Sequence, residues 1–183
     1  MGGYMKKLLV LGGGTAGTMV VNKLRKKLKS DQWSITVVDK DNDHIYQPGL
    51  LLLPFGVYKA EELVKKRDHF FPKNVEFIRA EIDKIVPESN HVFLTDGRVL
   101  EYDQLVIATG TSPRPDQTPG MDDPATWRKS VFDFFTLDGS VALRDALATW
   151  QGGRLVIHIT EMPIKCPVAP LEFAFLADAF FED

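Results

Sequence analysis

Two stretches of the chain hold residue types at spacings that could do chemistry. The first is Leu8-Leu9-Val10-Leu11-Gly12-Gly13-Gly14-Thr15-Ala16-Gly17, an apolar run entering glycines spaced G-x-G-x-x-G. A helix-compatible segment, Thr18 to Lys29, follows at once. Run, glycines and helix in that order are the context of a dinucleotide fingerprint. Gly12 would allow the tight strand-to-helix turn, Gly14 would admit a pyrophosphate to bare backbone, and Gly17 would let the helix pack closely on its strand. The new helix N-terminus would offer unpaired N–H groups and a positive dipole end to the phosphates. Asp39 stands about 20 residues further on, at the end of an apolar segment, where an acid can accept hydrogen bonds from ribose hydroxyls.

The second stretch surrounds Cys166, in Thr160-Glu161-Met162-Pro163-Ile164-Lys165-Cys166-Pro167-Val168-Ala169-Pro170. A free cysteine is often a small core hydrophobe. This one lies in a Pro-rich turn, beside Lys165 and just before a helix-compatible segment, and cations and helix N-termini both favour a thiolate. The unit repeats the opening order of strand, turn and helix with the glycines gone, so a phosphate cradle is replaced by a nucleophile.

The elements that must position these residues can be read in order. Trp33–Asp39 is expected as a second buried strand, and Lys59–Asp68 as a surface helix. Val75–Glu81 is expected as a third strand, followed by short strands at Ile82–Val86, His91–Thr95 and Val99–Glu101, with a hairpin turn at Asp96-Gly97. Leu105–Ala108 is a compact buried strand ending at Thr109-Gly110. Ile45–Gly56 is apolar and rich in Pro and Gly; it suits a buried connector and a loop lying against a flat apolar ligand equally well. Ser112–Ser130 carries four prolines and reads as a linker or irregular crossing. A helix over Leu137–Trp150, a strand over Arg154–Ile159 and a helix over Ala169–Phe181 complete the chain.

The expected fold class is therefore α/β: a Rossmann-like domain whose parallel sheet carries a β-meander, plus the first strand and helix of a second such domain. Expected bounds are 1–115, a linker over 116–136, and 137–183 for the incomplete second domain, so the chain reads as an N-terminal fragment. An apolar fraction of 44%, a charged fraction of 26% and a net charge of −3 over 183 residues suit a globular protein and give no case for nucleic acid. Nothing here is long and apolar enough to span a bilayer or resembles a cleaved leader, which points to the cytoplasm. One cysteine excludes an internal disulfide. Asp41-Asn42-Asp43-His44 lacks the remaining features of a metal loop and reads as a solvated turn, so no metal is expected.

The glycine turn, Asp39, Tyr46-Gln47-Pro48-Gly49-Leu50, Ala108-Thr109-Gly110 and Lys165-Cys166-Pro167-Val168-Ala169-Pro170 fall in the order seen in sulfide:quinone oxidoreductases, and the chain resembles their N-terminal half. The Cys-Pro-x-Ala-Pro turn is the most specific of these motifs. By that resemblance the cofactor is FAD: Gly12, Gly14, Thr15, Ala16 and Gly17 would hold the pyrophosphate, and Asp39 and Lys40 the adenosine ribose. The backbone near Ala80 would meet the adenine, Thr109 and Gly110 would close over the cofactor, and Pro48 and Gly49 would lie near the flavin ring. The resemblance implies oxidation of sulfide at a cysteine redox centre that includes Cys166, with electrons passing through FAD to a membrane quinone.

The family uses a second redox cysteine, which would lie beyond Asp183, as would the quinone pocket and the segments that attach such enzymes to the inner face of the membrane. The chain alone is then expected not to turn over; the resemblance leaves room for a homo-oligomer. Two alternatives stay open: the flavin subunit of a cytochrome-linked sulfide dehydrogenase, and a flavin-binding or redox-sensing module in which Cys166 is structural. A type II NADH dehydrogenase is disfavoured, because Met162–Pro170 lacks a second glycine fingerprint.

Overall fold

Leu8, Leu9, Val10 and Leu11 are each no more than 4% exposed, and this uninterrupted apolar run makes β1 (Lys6–Leu11) an inner strand of a parallel sheet. The computed structural model describes residues 4–182; Met1–Gly3 and Asp183, at the outer limits of the two expected domains, lie outside the described residues. Helix α1 (Thr15–Arg25) leads to β2 (Trp33–Asp39), which pairs in parallel with β1, Val10 opposite Val37. A short pair follows, β3 (Asp43–Ile45) with β4 (Val64–Lys66); the intervening chain holds α2 (Gly49–Leu52), a 3-10 turn at Leu53–Phe55 and α3 (Ala60–Leu63).

Strand β5 (Glu76–Arg79) extends the parallel sheet beyond β2. The meander is β6 (Ile82–Val86), β7 (His91–Leu94) and β8 (Val99–Glu101), antiparallel throughout. Strand β9 (Gln104–Ile107) then returns to lie parallel to β1, giving the sheet order β5-β2-β1-β9.

The strand period of two sorts the core into two layers. Leu8 and Val10 point to the side of α1, where they meet Val21, Ile35 and Val37, with Leu24 and Leu28 packed against them. Leu9 and Leu11 point the other way, onto Val38, Ile78 and the meander residues Val92, Leu94 and Tyr102. The meander thus covers the face that a further crossover helix would otherwise cover.

The chain divides into two compact units, each assembled from two stretches of sequence. The first is Met1–His44 with Lys65–Thr111, and the second is Ile45–Val64 with Ser112–Asp183. The second unit is built on α4 (Leu137–Thr149) and α5 (Ala169–Glu182). Leu143 and Leu147 of α4 meet Phe173 and Ala177 of α5, with Leu51, Phe55, Phe132 and Phe134 around them. Thr136 caps α4 by accepting from the Gly139 N–H at 3.0 Å.

Three expected elements differ. The strand over Leu105–Ala108, expected buried, is the edge strand β9, with Ile107 62% exposed because no further strand or helix covers it among the described residues. The surface helix over Lys59–Asp68 is a single turn, α3, followed by β4 and a 3-10 turn at Arg67–Phe70. The expected strand over Arg154–Ile159 does not form, and Val156 there is 69% exposed. No strand lies beside it among the described residues, so its N–H and C=O groups have no ladder to enter. Its apolar, β-branched composition cannot make a strand without a partner.

Candidate functional site

The carboxyl ends of the parallel strands gather most of the residues expected to bind a dinucleotide. After β1 the chain turns at Gly12, with φ of +92°. A side chain there would meet the Ala108 carbonyl carbon at 2.6 Å and Thr109 Cα at 2.8 Å, so the turn after β1 and the end of β9 are in direct backbone contact. The Ala108 N–H donates to the Leu11 carbonyl at 2.7 Å and fixes that approach. At Gly17 the space for a Cβ is taken by the Gly12 carbonyl, which is how α1 comes down onto its strand.

Gly14 is different. Nothing lies within 4 Å of where its Cβ would be, and as the residue preceding α1 it provides no side-chain cap. Thr15 and Ala16 are exposed, and the first turn of α1 carries no acid, so its free N–H groups open onto solvent without a competing negative charge. Lys23 and Arg25 in the last turn complement the other end of the dipole.

Asp39 closes β2 beside this turn. Its Oδ2 accepts from the Gly13 N–H at 2.8 Å and is paired with Arg67 Nη1. Both contacts fall on one oxygen; Oδ1 makes no hydrogen bond among the described residues and could accept one from a ligand. Lys40 follows it and is exposed. Ala80 donates its N–H to the Asp39 carbonyl at 2.9 Å, which leaves its own carbonyl as the group it could offer an adenine. Thr109 and Gly110 are exposed beyond β9, Gly110 with φ of +74°.

Pro48, Gly49 and Cys166 belong to the second unit. Pro48 is exposed, but Gly49 is buried, and the space of its missing side chain is filled by Leu63, with Tyr46 Cδ1 at 3.1 Å. The close approach expected of a ligand at Gly49 is therefore made by the chain itself. Cys166 is half-buried, and its carbonyl accepts from the Ala169 N–H at 3.1 Å as α5 begins. Lys165, expected to act on the neighbouring thiol, instead donates from Nζ to Gln47 Oε1 at 2.7 Å. That bond ties the turn carrying Cys166 to the loop carrying Pro48, across a long stretch of sequence.

Sequence reasoning missed two residues here. Gln47 carries no signal of its own within the Tyr46–Leu50 motif. Arg67 sat inside an expected surface helix, yet it is 6% exposed and also binds the Asp41-Asn42-Asp43 turn. That turn is anchored to a buried guanidinium and is less solvated than expected. Among the described residues there is no group of His, Cys, Asp and Glu able to hold a metal ion, and no helix long and apolar enough to cross a membrane.

A parallel sheet whose carboxyl edge presents an uncapped helix N-terminus and a strand-end acid defines a dinucleotide-binding α/β protein. The sequence profile of the pyridine nucleotide-disulphide oxidoreductases matches residues 6–157, and the chain belongs to that family. Its cofactor is FAD. The residues present fit that group: the open space at Gly14, the uncapped first turn of α1 and the remaining oxygen of Asp39 suit a pyrophosphate next to a ribose.

Over 175 residues, 95% of this chain, the sequence is 26% identical to the mitochondrial sulfide:quinone oxidoreductase of Dictyostelium discoideum. It is 35% identical to the type II NADH:quinone oxidoreductase of Staphylococcus haemolyticus over 121 residues, or 66% of the chain. The sulfide:quinone oxidoreductase structure from Aquifex aeolicus shares the fold at a TM-score of 0.59 and 23% identity, covering 78% of this chain and 32% of that one. The matched region is 38% of the Dictyostelium protein and 30% of the staphylococcal one, so the chain spans about a third of these curated relatives.

Proposed function

We propose that this chain is the flavin-holding part of a sulfide:quinone oxidoreductase, in which Cys166 is one of the redox cysteines. The observation that carries the reading is the turn Cys166-Pro167-Val168-Ala169-Pro170 at the start of α5, where a second glycine fingerprint would be needed to cradle a nicotinamide dinucleotide. The extent of the similarities supports it. The match to the Dictyostelium sulfide:quinone oxidoreductase is long enough that it must run through Cys166. The match to the staphylococcal NADH enzyme is too short to hold both Gly12 and Cys166.

When bound, FAD supplies a two-electron acceptor that can pass its electrons on to a quinone. The chain's own residues then have separate tasks. Gly12 and Gly17 shape the turn, and Gly14, Thr15 and Ala16 present N–H groups to the pyrophosphate. Asp39, with Lys40 beside it, would take the ribose; the backbone near Ala80 would meet the adenine, and Thr109 and Gly110 would close over the cofactor. Cys166 would be one of the two cysteines at which sulfide is oxidised, the two electrons released as the sulfur–sulfur bond forms passing to FAD, and Lys165 holds its turn against Gln47 beside Pro48. The second redox cysteine, the quinone site and the membrane-attached segments of such an enzyme would be supplied by sequence outside this chain.

A second reading has one specific observation behind it. The identity to type II NADH:quinone oxidoreductases, 35% over the matched part, exceeds that to the sulfide enzymes, so NADH is the competing reductant. Cys166→Ser in the full-length protein separates the two. The proposal expects the variant to keep its flavin and lose sulfide-dependent quinone reduction. Sulfide oxidation at the wild-type rate in that variant would remove Cys166 from the chemistry.

A further inference from the structure

The side chain of Arg67 makes four contacts to one short turn. Nη1 pairs with Asp39 Oδ2 and donates to the Asp41 carbonyl at 3.1 Å; Nη2 donates to the Asp43 carbonyl and pairs with Asp41 Oδ1 at 3.1 Å. Its backbone joins the same turn, the Arg67 N–H donating to the Asn42 carbonyl at 2.8 Å. Its stem lies against the glycine turn: a side chain on Gly13 would meet Arg67 Cδ at 2.6 Å and the ring of Phe71 at 3.0 Å. One guanidinium therefore joins the pyrophosphate turn, the strand-end acid and the loop after it.

Stability alone does not account for this residue. Arg67 is 6% exposed and its Nε is buried without a hydrogen-bond partner. Burying a guanidinium with an unmet donor costs stability that an apolar side chain of similar size would not. What the planar fork does, and an apolar chain could not, is bind a carboxylate through a chosen oxygen.

We propose that Arg67 is the positioning residue of the adenosine subsite. With the Gly13 N–H it holds Asp39 by Oδ2, so that Oδ1 faces the place of the ribose and accepts from its hydroxyls. Arg67 touches no ligand in this account; it acts through Asp39. The inference rests on the dinucleotide reading of the glycine turn and is independent of the sulfide reading.

The test compares FAD with an FAD analogue whose adenosine ribose lacks both hydroxyls, each titrated into apoprotein and followed by flavin fluorescence. A hydrogen bond to a charged acceptor predicts a wild-type preference for FAD of about tenfold. Arg67→Met should bind FAD more weakly and show a preference below about twofold, because an unheld carboxylate no longer meets the hydroxyls. Asp39→Ala, which removes the acceptor, should lose the preference too, and adding Arg67→Met to it should lower the preference no further. Arg67→Lys, which keeps the charge without the fork, should retain part of it. Circular dichroism on each variant establishes that it is folded. If Arg67→Met weakens both ligands equally and keeps the preference, Arg67 is only structural and the proposal falls. A wild-type protein that binds FAD without any preference would also overturn it, whereas a wild-type protein that binds neither ligand would overturn the dinucleotide reading as well.

Discussion

The Gly13 N–H donates to Asp39 Oδ2 at 2.8 Å, joining the turn after β1 to the end of β2. The groups that would meet the pyrophosphate and the ribose are thus joined by a hydrogen bond of the chain itself. Asp39→Ala removes the acceptor and takes a partner from the buried Arg67, which keeps only Asp41 as a carboxylate neighbour. We expect a stability loss of about 2–3 kcal/mol, read by urea denaturation, together with weakened FAD binding. Unchanged stability would mean that the bond does not hold in solution.

The glycines of the turn separate by what surrounds them. Gly14→Ala enters open space with an ordinary backbone conformation, φ −68°, so stability should stay within about 0.5 kcal/mol of wild type. If the pyrophosphate approaches Gly14 as proposed, the new methyl would stand in its way, and FAD affinity should fall at least about tenfold, or roughly 1.4 kcal/mol. Gly17→Ala would push α1 off the Gly12 carbonyl and should cost about 2 kcal/mol or more before any ligand is added. Thermal melts of the apoproteins, followed by flavin titration, distinguish the two.

Two phenylalanines on α5 should behave in opposite ways. Phe173 is 3% exposed and stacks on Phe134 with ring centroids 4.9 Å apart. Phe173→Ala should cost about 3 kcal/mol or more. Phe175, on the other side of the helix, is 67% exposed, and Phe175→Lys should change stability by no more than about 0.5 kcal/mol. Equal losses at both positions would show that the far face of α5 is also packed.

Lys7 Nζ of β1 pairs with Glu101 Oε2 of β8 at 2.9 Å. The hydrogen bond and the charge of Lys7 hold Glu101 below the usual carboxylate range, and the same contact holds Lys7 above the usual lysine range. Glu101, lowered on folding, contributes stability above its unfolded value and loses it as pH falls through the folded one. Lys7, raised on folding, contributes below its unfolded value and loses it as pH rises through the folded one. The small stability difference between wild type and Glu101→Gln should therefore be greatest near neutral pH and shrink toward both extremes. Because the pair is exposed, added salt should shrink it further.

Much of the first unit was legible because its signals are local. The run Leu8–Leu11, the glycine spacing and the alternation in Trp33–Asp39 each identify an element without reference to anything distant, and β2 has the expected limits. Arg67 was not legible. It lies among Glu61, Glu62, Lys65 and Lys66, which look like a solvated helix face, and its partners Asp39 to Asp43 stand far earlier in the chain. Gly49 left two readings open for a related reason: a glycine leaves space, and sequence does not say whether a ligand or Leu63 fills it. The Arg154–Ile159 strand failed because a strand is a property of a pair, and composition describes only one member.

The central claim, that sulfide is the electron donor to the flavin held by this turn, is tested most directly by anaerobic mixing of the flavin-loaded, full-length protein with sulfide and, separately, with NADH. Sulfide should bleach the flavin absorbance at a rate proportional to its concentration, and NADH should not. Rapid bleaching by NADH with none by sulfide would contradict the claim.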